Sequence, residues 1–160
     1  MNDQDRSTEA GFTVIELIVV VSIIAILIAI MIPSLLQARI PAQDKQAQTV
    51  LRNSLTAAKA VETDDGVGPT QASLGSEEPA IAFVASSATA PASHRSVSVS
   101  NGITAANQWY LILVSHSTSG RCFALLEQPG YPPQFQRVDH ATTCQADQFT
   151  PTTGWLTSWP

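Results

Sequence analysis

From Phe12 to Ile32 the chain is apolar on every side, and only Thr13, Glu16 and Ser22 are neither apolar nor small. Much of this run is β-branched Val and Ile, which in water favour a strand. Its 21 residues, wound as a helix at ~1.5 Å each, reach about 30 Å, the thickness of a bilayer's hydrocarbon region. Only a helix satisfies every backbone group within one segment in lipid, so a helix is the expectation. Pro33 and Pro41 follow, each removing one backbone donor and straining the turn before it, so a bend or loosened stretch is expected near each. From Ala42 the pattern becomes one-sided: Ala47, Leu51, Leu55, Ala58 and Val61 form a stripe at helical spacing, with Asp44, Lys45, Gln48, Arg52 and Lys59 expected largely off it. Thr63-Asp64-Asp65-Gly66 and Gly68-Pro69 provide a stop after Glu62.

Beyond the helix the period changes. Residues 63–94 read as loop, with Pro69, Pro79 and Pro91 and one short strand candidate at Ala80 to Val84. Val97 and Val99 alternate with Ser96, Ser98 and Ser100, while Trp109 to Val114 and Cys122 to Leu126 are continuous apolar runs. These three segments predict an antiparallel sheet with short connections. The tail from Pro129 to Pro160 has five prolines and little periodicity. The fold class is therefore α+β: a long N-terminal helix, apolar in its first half and amphipathic in its second, on a small β-rich head. The expected divisions are 1–11, a polar acidic leader; 12–33, an apolar helix; 34–62, its amphipathic continuation; and 63–160, the head.

Composition changes this picture only through its distribution. The apolar share of 44% is ordinary, but much of it sits in one block. Net charge is −5, and without the first 11 residues ten acids stand against seven bases. No basic face and few aromatics are available, so direct nucleic-acid binding is not expected. Arg6 alone precedes the apolar run while Arg39, Lys45 and Arg52 follow it, which by loop charge places the C-terminal part in the cytoplasm. Cys122 and Cys144 argue the opposite. An even pair in an otherwise Cys-free chain suggests one disulfide formed outside the cytoplasm, with two free thiols as the alternative. The pair lacks nearby ligands for zinc, and no metal or cofactor is expected. A disulfide here closes a loop of 23 residues and stabilises the fold by roughly 3 kcal/mol in the chain-entropy model.

Glu16 is the residue that a simple anchor has no reason to carry. Fifteen of the residues from Phe12 to Ile32 are Phe, Val, Ile or Leu. At ~0.3 to 0.6 kcal/mol each they outweigh a buried acid costing about 3 kcal/mol, so insertion survives it. The acid is still expected to take a proton or find a cation. His94, His116 and His140, with Asp139, lie dispersed in Ser/Thr-rich sequence without an HExxH or GxSxG frame. Trp109, Trp155 and Trp159 read as core or rim residues. An enzyme is therefore not the reading.

Gly11-Phe12-Thr13-Val14-Ile15-Glu16-Leu17, followed by apolar sequence as far as Pro33, resembles the processing and assembly motif of type IV pilins and pseudopilins. The resemblance covers Gly11 to about Glu62 and is architectural beyond. It implies a leader cut after Gly11 by a prepilin peptidase and an N-methylated Phe12. It also implies assembly through Glu16, loss of helical regularity near Pro33 in a filament, a four-stranded sheet and a C-terminal disulfide loop. An assembly ATPase and platform protein would draw the helix from the cytoplasmic membrane into a homopolymer, with the head outside. Pilin leaders are usually basic before the glycine, whereas this chain has Glu9-Ala10. On this reading the new Phe12 amine, four residues from Glu16, is the cation the acid pairs with, within one helix or between staggered neighbours. Major pilin, minor pilin and pseudopilin of a secretion or DNA-uptake machine all stay open. So do a single-pass anchored extracellular binding module and a secreted enzyme held by a signal anchor.

Overall fold

A computed structural model describes residues 11–65, 68–93, 95–139 and 141–160. The leader residues 1–10, Gly66 of the expected helix stop, His94 and His140 lie outside these. Two compact units divide the chain, Met1–Arg39 and Ile40–Pro160. Helix α1 is Val14–Asp65 and contributes to both.

In the first unit α1 runs through Pro33 without interruption, and it continues through Pro41 in the second. Neither proline therefore interrupts the helix. A proline inside a helix forfeits one bond of the ladder, and the turns on either side supply the rest. Beside Pro33, the Ser34 hydroxyl donates to the Met31 carbonyl at 2.9 Å. The apolar side chains of this unit are exposed all round, and one window of the helix, with mean hydropathy 3.2, is long and apolar enough to cross a membrane.

In the second unit the helix has a buried face, made of Ala47, Val50, Leu51, Ala57, Ala58 and Val61 with Leu55 partly buried. Asp44 and Gln48 are also buried, contrary to their expected place off the stripe. Positions 44, 47, 48, 51, 55 and 58 repeat at three and four, so geometry puts them on one side whatever their polarity.

This face lies on a five-stranded sheet of order β1-β2-β3-β4-β5: Ala82–Ala85, Ser96–Ile103, Trp109–His116, Cys122–Glu127 and Gln134–Val138. All neighbours are antiparallel except β1 and β2, which are parallel with Ala82 opposite Ser96. The expected sheet was antiparallel and one strand smaller. β5 was missed because its outer edge carries Gln, Arg and only one aromatic, Phe135, so the strand shows little apolar alternation. A short helix α2, Gln71–Glu77, interrupts the stretch read as loop; Thr70 caps it in a box with Ser73 and Leu74 anchors it in the core.

The continuous apolar runs of β3 and β4 follow from coverage on both faces. Leu111, Leu113, Phe123 and Leu125 meet α1, whereas Ile112, Val114, Ala124 and Leu126 meet the C-terminal tail through Cys144, Ala146 and Phe149. Cys122 and Cys144 form a disulfide with Cα atoms 5.7 Å apart. It fixes the tail against the face opposite the helix. The Ala146 amide donates to the Ser98 hydroxyl at 3.0 Å, and the Ala90 amide to the Cys144 carbonyl at 3.0 Å. Trp159 packs on Phe123 and Phe135, and Trp155 on Phe149.

Candidate functional site

The site begins at Gly11. It is exposed, a Cβ added there would meet nothing within 4 Å, and its φ is not in the left-handed region. The chain's own fold thus places no demand for glycine at this position. Phe12 is 89% exposed, and helix α1 starts two residues later, at Val14.

Thr13 is the residue that starts it. Its hydroxyl accepts from the Glu16 amide at 3.3 Å, and Glu16 Oε2 accepts from the Thr13 amide and hydroxyl, each at 2.8 Å. This reciprocal pair is a capping box, in which the first-turn amides that lack partners are satisfied by side chains. Glu16 thus has hydrogen-bond donors within its own chain. The sequence signal for them is Thr-x-x-Glu directly before an apolar run. A carboxylate at a helix start also interacts favourably with the helix dipole. Phe12, Glu16, Leu17, Val20 and Val21 line one shallow groove along this turn.

A second carboxylate on the same helix has a different setting. Asp44 Oδ1 accepts from the Ser117 hydroxyl at 2.9 Å and from the Ser119 hydroxyl, while Oδ2 takes Arg121 Nη1 at 2.5 Å. Burial pushes its pKa up, but these three donors and the Arg121 charge hold it below the usual carboxylate range. Arg121 Nε reaches on to Asp139 at 3.0 Å, which also pairs with Arg137 Nε at 3.1 Å. Asp139 is thus committed to guanidinium groups. His116 lies at the end of β3, its Nδ1 3.3 Å from the Ala90 carbonyl. Near the other end of the helix Lys59 meets Glu127 at 3.1 Å. Burial, with Glu62 adding to it, raises the Glu127 pKa against the opposing effect of Lys59.

An exposed apolar helix that opens on a Thr/Glu capping box, followed in sequence by a disulfide-bonded α+β unit, defines a class: a protein with an N-terminal helix long and apolar enough to cross a membrane. Residues 6–32 match the family model of the prokaryotic N-terminal methylation motif, the signal motif of type IV pilins and prepilins. The match supports a type IV pilin-like or pseudopilin protein, and with the apolar helix it fits membrane anchoring before assembly. Pilins of this type are structural proteins without catalysis, and their motif implies processing by a prepilin peptidase and filament assembly in general. No curated protein and no solved structure matches the chain.

Proposed function

We propose that this chain is a prepilin processed after Gly11 and polymerised through α1 into a pilus or related filament. The observation that carries the proposal is the junction itself: an exposed glycine the fold does not need, an exposed Phe12, and Glu16 in the first helical turn. Water adds across the Gly11–Phe12 peptide bond, leaving a carboxylate on Gly11 and an amine on Phe12. A methyl donor then transfers one methyl group to that amine, which gives up a proton. Residues 1–11 are lost, 12–33 form the membrane-held and later filament-core helix, 34–62 continue it, and 63–160 form the head.

Glu16 supplies the register. One of its oxygens is used by Thr13, which leaves the other to accept from the Phe12 ammonium of the same or a neighbouring subunit. In a low-dielectric bundle such a pair is far stronger than in water, whereas a misregistered helix leaves both charges unpaired. Apolar contacts supply most of the cohesion, since helix packing replaces lipid contacts as an assembly ATPase and platform extract the subunit. Filament loosening near Pro33 belongs to the assembled state. Before assembly the subunit is a single-pass protein of the cytoplasmic membrane with its head outside, where the disulfide forms.

Intact-mass measurement on the mature chain tests this reading. A chain lacking residues 1–11 and carrying one extra methyl group is the expected result. A full-length chain recovered from cells holding a prepilin peptidase overturns it and leaves the anchored binding module.

A further inference from the structure

The second half of α1 has a face that its own head leaves uncovered. Gln46, Thr49, Asn53, Thr56 and Ala60 recur at spacings of three, four, three and four, a heptad seam with Gln46, Asn53 and Ala60 at the a positions and the two threonines at d. None is charged, and all are exposed except Ala60, which is half-buried. The core stripe through Leu51 and Ala58 lies on the opposite side of the helix. Short side chains such as these let a second helix come close. The threonine hydroxyls already donate within α1, Thr49 to the Lys45 carbonyl at 2.7 Å and Thr56 to the Arg52 carbonyl at 3.1 Å, so covering them strands no donor.

The two flanks of the seam differ in charge. Lys45, Arg52 and Lys59 occupy the g positions on one side. On the other side the e positions, Val50 and Ala57, are buried, and the charge comes from α2: Glu77 and Glu78 share an open cleft of about 210 Å³ with Asn53, Thr56, Ala57 and Ala60. Lys59 is held by Glu127, whereas Arg52, Glu77 and Glu78 make no ion pair among the described residues. Glu77 and Glu78 also stand at the end of α2 where the helix dipole favours bases. Nothing among the described residues offsets that local conflict, and such conflicts gather at functional surfaces.

In a parallel coiled pair the g residue of one helix faces the next e position of the other. For Arg52 that position is Ala57, beside Glu77 and Glu78, and two-fold symmetry makes the contact twice. An antiparallel partner would instead set base against base and acid against acid. Asn53, which makes no hydrogen bond among the described residues, would meet its own counterpart across the axis, a pairing that fixes register and favours two strands. We propose that this seam docks a second copy of the chain, helix parallel to helix, with Arg52 of each copy paired to Glu77 and Glu78 of the other. The seam buries little apolar area, so association is weak in free solution. Two copies anchored in one membrane with the same sidedness meet already parallel and at high effective concentration. The inference therefore rests on membrane anchoring, and on neither cleavage nor filament growth.

The test reconstitutes the full chain in phosphatidylcholine vesicles without peptidase or assembly machinery. Single added cysteines are oxidised with copper phenanthroline and read as dimer on a non-reducing gel. Cys122 and Cys144 are already bonded to each other and buried, so the added thiol is the one that reacts. Asn53→Cys and Thr56→Cys, each facing its own counterpart, are expected to give about tenfold more dimer than the exposed control Thr152→Cys. In the Thr56→Cys background, Arg52→Glu is expected to lower the dimer about tenfold, Glu77→Lys with Glu78→Lys to do the same, and all three together to restore it. That recovery separates charge pairing from misfolding of a variant. A chain that does not float with the vesicles refutes the anchoring reading and this proposal with it. A chain that floats but gives no more dimer than the control, a dimer indifferent to charge reversal, or no recovery in the combined variant overturns the seam alone.

Discussion

Helix α1 carries one acid in its first turn, Glu16 in the first unit, and another past its middle, Asp44 in the second, and the two are handled in opposite ways. Asp44 is enclosed by its own head: two serine hydroxyls and an arginine fill both oxygens. Glu16 has one local partner, Thr13, and otherwise stands on a helix whose apolar side chains are exposed. An acid satisfied within the chain is part of a fold. One satisfied only in part, on a surface that water does not favour, is what the proposed filament would complete. The same contrast runs through the apolar residues: Leu51 is wholly buried, while Ile26 is 62% exposed.

Breaking the buried side of this comparison has the largest effect. Leu51→Ala removes a fully enclosed side chain and is expected to destabilise the head by about 2–5 kcal/mol in denaturant unfolding of the full chain. Ile26→Ala should leave that transition within about 0.5 kcal/mol of the parent. Equal effects would mean that Ile26 is buried in the folded chain. Replacing Cys122 and Cys144 together by Ser is expected to cost about 3 kcal/mol, read as a lowered unfolding midpoint that reductant reproduces in the parent.

Asp44→Asn is a smaller change, because Arg121 is 36% exposed on its side chain and water takes over part of the lost pairing. A loss of about 1 kcal/mol near neutral pH is expected. Its pH signature is clearer. The folded pKa of Asp44 is depressed, so its contribution is present above the ordinary value of about 3.9 and is lost as pH falls through the folded value. The Asn variant should flatten that acid limb. Glu127 has the opposite sign: its folded pKa is raised, so its contribution is present at acid pH and falls away as pH rises from about 4.3. Glu127→Gln should remove this decline, and a steeper one would refute the assignment.

The smallest effect on stability is expected at the other acid. Thr13→Ala removes the N-cap and should cost the helix start about 1 kcal/mol, visible as faster amide exchange over residues 14–17. Glu16→Ala shares that cost but should also reduce filament yield while leaving membrane insertion intact. If Thr13→Ala lowers yield as much as Glu16→Ala does, capping and not intersubunit pairing accounts for the effect of Glu16.

Regions of the chain differed in how far they were legible. A block of Val and Ile from Phe12 to Ile32, with one carboxylate, needs no knowledge of what surrounds it, because local composition alone says that water must be excluded. Val97/Val99 and the runs at Trp109 and Cys122 were legible for the same reason. Asp44 was misplaced because three of its partners come from the β3–β4 turn, more than 70 residues away, and nothing local distinguishes it from a solvated acid. β5 was hidden because hydrogen bonding to β4, and not apolar alternation, makes it a strand.

What the sequence determined by itself is thus the helix, its apolar first half, the methylation motif over residues 6–32 and the presence of two cysteines. Tertiary structure alone decided the parallel pairing of β1, the coverage of the second sheet face by the tail and the closure of Asp44. The physical reason is range: backbone satisfaction and hydrophobicity act within a few residues, whereas packing and buried polar partners depend on which distant segments meet.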